Sequence, residues 1–517
     1  MTGEFTGRIV SPDARATRAG EQVLADGGSA ADAVIATAAV LCVVSPHMVT
    51  IGGDSWTLAG SADGSVVAIN GTGRAPYGLT PEHLRGLGHT VMPGSGVHSI
   101  SVPGLPSAWH ELHLRYGSRP LAELLQPAIA LARDGAEVAP SMARDLAQYA
   151  DRLAGDPGAR ALFLTADGSA PAEGDRFRQP ALAASLTALA NEGVAALYGG
   201  ELGAAYAEGL AALGGTMTRD DLAGHQADVV APLTLRWQDA EVITAPPNSQ
   251  GFGLLKMLAL AEALGLTDPL DPAQTAAFVR AYELAGAQRD ARSADPEAVE
   301  VDLAAVLDPE VVRRDAAALG SATGAGAPDP VRLDGDTIGI AAVDGAGLWI
   351  SSLQSVAGTF GSLVVEPATG ILGHNRAGGF SLDPARPGVL AGGRRPPHTL
   401  MPCLVRRGGR LDTTVATMGG RSQPAIAAQL LARLAGGATA DAALQAPRFV
   451  VTPGTGPDGG PEVLVEAAAP DAVREVLAAE FGAQVIDGLD NRFGHAHLVR
   501  ATEGGLDAGT DPRADGS

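Results

Sequence analysis

The stretch Leu333-Asp-Gly-Asp-Thr-Ile-Gly-Ile-Ala-Ala-Val-Asp344 decides how the chain is read, with Thr337 at its centre. The segment before it, Leu319-Gly-Ser-Ala-Thr-Gly-Ala-Gly-Ala-Pro-Asp-Pro330, consists almost wholly of small and turn-forming residues. After it the pattern changes to strand. Ile338, Ile340 and Ala342 alternate, and Leu348-Trp-Ile-Ser-Ser-Leu353 follows an Asp-Gly-Ala-Gly turn. One reading of Gly335-Asp336-Thr337 is a hairpin turn that opens a strand. The other is a loose, exposed loop feeding a buried strand through an Asp-Thr bond, which is what a self-cleaving precursor needs.

Scission between Asp336 and Thr337 would leave a threonine on the first residue of a rigid strand. A threonine hydroxyl is a weak nucleophile unless a base stands beside it. A free α-amine, with an ordinary pKa of about 7.7–8, is such a base and belongs to the same residue. An internal threonine has only an amide nitrogen and lacks it.

Composition narrows the class. The chain has 517 residues, 46% hydrophobic and 18% charged, so there is ample material for a large core. Its 68 glycines against 4% aromatics point to close backbone packing. A net charge of −22 without clustered Lys/Arg argues against nucleic acid, because binding phosphate needs such clusters. Cys42 and Cys403 have no metal-ligand spacing and sit in apolar runs, so both are expected as buried free thiols in a reducing compartment. The first ten residues show no basic segment followed by an apolar core, and the apolar run 30–44 contains Asp32 and is too short for a bilayer. A cytoplasmic protein without a membrane segment is expected.

Along the chain, residues 14–24 read as an amphipathic helix broken at Gly27-Gly28, and Ser29 with Asp32 three positions on reads as the cap of a second. Strands are expected at 55–58 and 66–70, and helical periods dominate from 103 to about 294, for example 121–132 and 182–197. Strands at 233–237 and 241–244 interrupt them, and Pro246-Pro-Asn-Ser-Gln-Gly251 leads into a helix over 252–264. The part after Thr337 reads as strand-rich to 372 and again at 400–405, with a helix at 424–434. Strands inside and helices outside indicate stacked sheets with helical outer layers.

These residues together resemble the γ-glutamyltranspeptidase (glutathione hydrolase) family of N-terminal-nucleophile hydrolases. The likeness runs from Gly27-Gly-Ser-Ala-Ala-Asp-Ala33 and Ser45-Pro-His-Met48 with Gly52-Gly53, through Val102-Pro-Gly104, Pro246-Pro247 and Ala446-Pro-Arg-Phe449, to the tail Gly509-Thr-Asp-Pro-Arg-Ala-Asp-Gly516. The resemblance implies an α/β fold, a four-layer αββα sandwich made by autocleavage. Fragments 1–336 and 337–517 would then form one structural domain, a heterodimer that associates further in some family members. It implies neither metal nor organic cofactor. By position, Thr337 matches the nucleophile, and Ser355 stands where the family has a threonine that hydrogen-bonds it. Gly419-Gly420 match the pair whose N–H groups form the oxyanion hole, although a plain turn is compatible with them too. Arg74 in Gly73-Arg-Ala-Pro76 matches the arginine that binds the substrate carboxylate, its alternative being a structural ion pair.

The departures from the family pattern fall in the glutamyl pocket. Gly379 stands at the position of the acidic residue that holds the substrate amine, Ala357 at an asparagine, Arg376 at a glutamine, and His398-Thr399 at a serine pair. An ammonium without a carboxylate partner is costly to bury, so a γ-glutamyl group should be held poorly. Arg74, Arg376 and His398, with Thr399, are expected to make the pocket cationic and suited to a small anionic substrate. Arg376 has Asp383 as a possible partner, and His398 a backbone carbonyl. The Gly-Asp-Thr, Leu353-Gln-Ser355 and Pro397-His-Thr-Leu400 signatures look like the branch containing oxamate amidohydrolases, and a related branch thought to cleave a C–C bond and release oxalate. The competing readings are a true γ-glutamyl hydrolase or transpeptidase and an unprocessed binding homologue, the latter suggested by Ile338 where the family commonly has a second threonine.

Overall fold

Alternation along the strand Gly335–Val343 sets the layers. Ile338, Ile340 and Ala342 belong to a core shared with the helix Ala30–Val44. Ala341 and Val343, of the same parity as Thr337, point to the opposite side and pack with Trp56, Leu58, Leu404, Ala416 and Val499 between two sheets. The computed structural model describes residues 7–319, 335–452 and 462–515.

The first sheet runs in the order Arg8–Val10, Gly335–Val343, Trp349–Gly358, Asp54–Gly60, Val66–Gly71, Asp228–Val230. The second runs Gly505–Thr510, Ala496–Thr502, Arg410–Thr417, Cys403–Arg407, Ala240–Thr244, Leu233–Trp237. All pairings within both sheets are antiparallel. The inner faces approach so closely that a Cβ on Gly339 would stand 2.9 Å from the Ala416 backbone. Hydrogen bonds cross the gap: the Ser351 hydroxyl donates to the Val415 carbonyl at 2.7 Å, and Thr414 donates to that of Ile350 at 2.8 Å. Gly339 is therefore required by close approach of backbone.

Helices close both outer faces, giving the αββα sandwich. Every residue of Ala30–Val44 is buried, and Ser29 with Asp32 forms the expected capping box, a device worth about 1 kcal/mol. Gly251–Ala263, Thr275–Asp290 and Gln423–Ala435 cover the second sheet around Val242, Cys403, Val415 and Leu498. No single helix among the described residues is long and apolar enough to cross a membrane.

Several boundaries differ from expectation for local reasons. The helix expected over 182–197 is Pro180–Glu192, ended by Gly193 at φ +69° and continued only as a short 3₁₀ turn. The strand expected from 400 begins at Cys403. Residues 395–400 instead run beside 246–250, with the His398 N–H donating to the Asn248 carbonyl at 2.9 Å. Beyond Gly358 the chain is not strand-rich, holding only Val365–Glu366 and Ile371–Leu372 before Leu372. The hairpin Ala496–Thr502/Gly505–Thr510, which edges the second sheet, had no expectation attached to it. The loop expected before Thr337 lies, from residue 320 on, outside the described residues. Cys42 and Cys403 are buried free thiols, as expected.

Candidate active site

The strands Gly335–Val343 and Trp349–Gly358 pair with a slip: Gln354 faces Ile338, but Ala357 faces Asp336. The bulge stands opposite Thr337 and aims Ser355 at the Asp336–Thr337 bond, which is continuous here. The Ser355 hydroxyl donates to the Asp336 carbonyl oxygen at 2.5 Å. Its oxygen accepts from the Ala357 N–H at 2.8 Å and, at 3.4 Å, from the Thr337 hydroxyl. Asp336, Thr337 and Ser355 are all buried. Ala357 has φ +78°, a strained value for alanine and of the kind that clusters at functional sites.

The second sheet supplies the glycine pair. Its strand Arg410–Thr417 passes beneath Gly339 and ends at Met418-Gly419-Gly420, and the turn Gly420–Ser422 packs against the strand that carries Thr337. Gly419 and Gly420 have φ of +137° and +53°, and a Cβ on Gly419 would stand 2.5 Å from Ile426 Cδ1. The turn opens the helix Gln423–Ala435, whose N-terminal end favours negative charge. Backbone N–H groups at such a turn suit a developing oxyanion.

On its other side Ser355 pairs with Asp54 of the strand Asp54–Gly60. Two strand spacings, about 10 Å, therefore separate Asp54 from Thr337. Asp54 is fully buried and holds three side chains from beyond Thr337 in the chain. Arg376 donates through Nε at 2.9 Å and Nη2 at 3.3 Å, His398 through Nε2 at 2.7 Å, and His374 Nδ1 lies 3.5 Å away. The Leu400 N–H donates to His398 Nδ1 at 3.2 Å, which places the ring proton on Nε2. Burial, then the neighbouring Arg376 charge, pushes His398 down to about 4, so the imidazole is neutral. Burial alone would raise the Asp54 carboxyl, but Arg376 and the two histidines hold it well below the usual carboxylate range.

Arg376 reaches Thr399 Oγ1 with Nη1 at 3.0 Å, and both residues, with His398 and Gly379, line a cavity of about 150 Å³. Gln250 ties this wall to the glycine turn, donating to the carbonyls of Thr399 at 2.5 Å and Gly420 at 2.8 Å. Arg289, Arg386, Arg421 and Asp290 complete the charged lining.

The structure thus brings Thr337, Ser355 and the glycine turn together and joins them through Asp54 to Arg376, His398 and Thr399. Arg74 is held in ion pairs: its guanidinium binds the Gly393 carbonyl at 3.1 Å and Glu297 at 2.9 Å, near Asp228 and Asp295, and like Thr337, Ser355, Gly419 and Gly420 it is not among the residues lining this cavity. Arg376 pairs with Asp54 and not with Asp383. His398 is neutral with both ring nitrogens engaged, so it adds no positive charge. The other guanidiniums of the lining belong to Arg289, Arg386 and Arg421, of which Arg289 and Arg421 pair with Asp290. Asp54 was legible in outline, since a carboxylate opening a strand as apolar as Asp54–Gly60 needs a buried partner. Arg289 gave no signal within its helical pattern.

Comparison with known proteins fits this geometry. The family model for gamma-glutamyltranspeptidase matches residues 16–517. An oxamate amidohydrolase proenzyme from Klebsiella pneumoniae is 35% identical, covering 99% of this chain and 98% of the relative. A glutathione hydrolase-like proenzyme from Bacillus subtilis is 33% identical over 98% and 97% of the two chains. The crystal structure of a cephalosporin acylase from Bacillus halodurans superimposes with a TM-score of 0.91 at 30% identity, covering 99% of this chain and 95% of the other. The αββα architecture expected from the sequence agrees with the solved acylase structure. The chain belongs to the gamma-glutamyltranspeptidase family and is an N-terminal-nucleophile hydrolase of the amidohydrolase and acylase kind.

Proposed function

We propose that the chain cleaves itself between Asp336 and Thr337 and that the resulting N-terminal threonine hydrolyses a small, carboxylate-bearing substrate of the oxalyl-amide type. The observation that carries the substrate class is the Arg376 Nη1–Thr399 Oγ1 pair in the cavity wall, a donor set suited to a carboxylate. The full-length likeness to an oxamate amidohydrolase supports the same choice.

In the first step Thr337 Oγ attacks the Asp336 carbonyl carbon, and the Ser355 hydroxyl donates to the oxygen that gains charge. As the Oγ–carbonyl bond forms, the Asp336–Thr337 C–N bond breaks and the nitrogen takes the hydroxyl proton, leaving an ester and a free Thr337 amine; water then hydrolyses the ester to the Asp336 carboxylate and the Thr337 hydroxyl. The two fragments stay together because strands from both sides of the bond pair with each other in both sheets. In turnover, Thr337 Oγ attacks the acyl carbon and its own amine takes the proton and passes it to the leaving group. N–H groups of Gly419 and Gly420 hold the oxyanion, at about 10²–10³ in rate per donor, and water frees the acid. Arg376 and Thr399 bind the acyl carboxylate, held in place by Asp54 and His398. The same acyl transfer serves a C–C bond when the leaving carbanion is stabilised, with release of oxalate.

A γ-glutamyl substrate needs a carboxylate for its ammonium. Asp54 is engaged by Arg376 and His398, and Asp290 by Arg289 and Arg421. A cytoplasmic setting accords with the two buried free thiols.

Intact mass under denaturing conditions, beside a Thr337→Ala control, tests the nucleophile: two fragments against one chain are expected. Oxamate and a γ-glutamyl anilide, assayed side by side on the cleaved enzyme, test the substrate. Faster turnover of the anilide would overturn the oxalyl assignment, and an uncut wild type would overturn the enzyme mechanism.

A further inference from the structure

We infer that Gln250 is a positioning residue for the glycine turn: its carboxamide sets the direction of the Gly420 N–H and the spacing between that donor and the Arg376–Thr399 wall. This rests on the acyl-transfer reading above.

Two glycines in succession are a highly permissive backbone. Gly419 and Gly420 stand at φ +137° and +53°, and neither has a side chain to hold the turn. A donor to an oxyanion is effective only when its direction is set before the charge develops. Here the restraint comes through the carbonyls. The Ser422 N–H donates to the Gly419 carbonyl at 2.9 Å, and because a peptide is planar and trans, the Gly420 N–H points the opposite way. The Gly420 carbonyl accepts from the Gln423 N–H and, at 2.8 Å, from Gln250 Nε2. The Arg421 carbonyl accepts from Arg289 Nη1 at 2.8 Å, and the same Nη1 donates to Gln250 Oε1 at 2.8 Å.

Gln250 is 2% exposed, and its side chain does not cap the helix that it opens. A flipped amide would set its oxygen against two carbonyl oxygens and its N–H groups against a guanidinium, so the contacts select one orientation. The second N–H of Nε2 holds the Thr399 carbonyl at 2.5 Å, while Thr399 Oγ1 accepts from Arg376 Nη1 at 3.0 Å. One rigid planar group therefore spans the gap between the wall proposed to bind the acyl carboxylate and the turn proposed to hold the oxyanion. Gln250 and Arg289 precede Asp336 in the chain, whereas Thr399, Gly420 and Arg421 follow Thr337. Side chains of the first fragment thus clamp the turn of the second. Arg376 is anchored separately, by Asp54.

The test is Gln250→Glu, which keeps the shape and an acceptor for Arg289 but has no N–H, beside Gln250→Met, which keeps only the bulk. Both chains are expected to cleave themselves to completion by intact mass, because Ser355 is the donor to the Asp336 carbonyl. With oxamate, kcat of the cleaved variants should fall by about 10²-fold as the oxyanion donor is misplaced. KM should stay within about threefold of wild type because Arg376 remains in place. A kcat within about threefold of wild type, or a loss confined to KM, would overturn the inference and leave the acyl-transfer reading standing. Variants that stay uncut would also overturn it, since Gln250 would then serve the fold or self-cleavage. Absence of oxamate turnover by the cleaved wild type would overturn that reading and this one together.

Discussion

The Ser355 hydroxyl stands 2.5 Å from the carbonyl oxygen of Asp336. Its own oxygen accepts from Ala357 and Thr337, so its single proton is directed at the carbonyl that would turn tetrahedral in the proposed attack by Thr337. Ser355→Ala is therefore expected to slow self-cleavage by about 10²-fold, the usual worth of a donor at an oxyanion. Ser355→Thr keeps the hydroxyl and should stay within about tenfold of wild type. The check is the appearance of the two fragments over time by mass spectrometry, and an unchanged rate in Ser355→Ala would refute the role.

Asp54 is fully buried and holds Arg376 and His398 across the proposed cleavage site. Removing one partner of a buried ion pair strands the other, at about 3–5 kcal/mol. Asp54→Asn should lose stability of that order, and Asp54→Asn with Arg376→Gln should lose less than the sum of the two single changes. Urea unfolding of the three variants decides it. Strict additivity would mean that the two groups are energetically independent.

Gly419 has φ +137° and no room for a Cβ, which would stand 2.5 Å from Ile426 Cδ1. Gly419→Ala should cost about 1–3 kcal/mol and lower kcat by about 10²-fold as the N–H moves. Adding Ile426→Val relieves the contact but not the dihedral strain. Stability should recover in part while kcat stays low. Recovery of both would show that contact, and not N–H placement, limits the alanine variant.

Burial pushes His225 down to about 3, and His398 and His495 down to about 4. Their unfolded value is about 6.5, so between pH 6.5 and 4 the unfolded chain binds more protons than the folded one. The stability these histidines contribute is complete above pH 6.5 and is lost as pH falls toward 4. The slope is about 1.4 kcal/mol per pH unit for each, or about 4 for the three at its steepest. Urea midpoints at pH 7.5, 6 and 5 should fall in that order. A midpoint that does not move would mean these rings are protonated in the fold.

The sequence by itself determined the layers and the strand that carries Thr337. Alternation of Ile338, Ile340 and Ala342, the Ser29–Asp32 cap and the glycine pair Gly419-Gly420 are local patterns, and each forms where its spacing requires. Motif order along nearly the whole chain was enough to place it in its family. Tertiary structure alone decided how the pocket is charged. Arg74 met Glu297, Arg376 met Asp54 322 residues away, and His398 lost its charge by burial next to Arg376. Arg289, Arg386 and Arg421 were brought to the cavity from separate helices and loops. Local spacing records which side chains share a face, whereas a net charge depends on which groups are buried against each other. That is fixed only when strands from both halves of the chain pair in the same sheet.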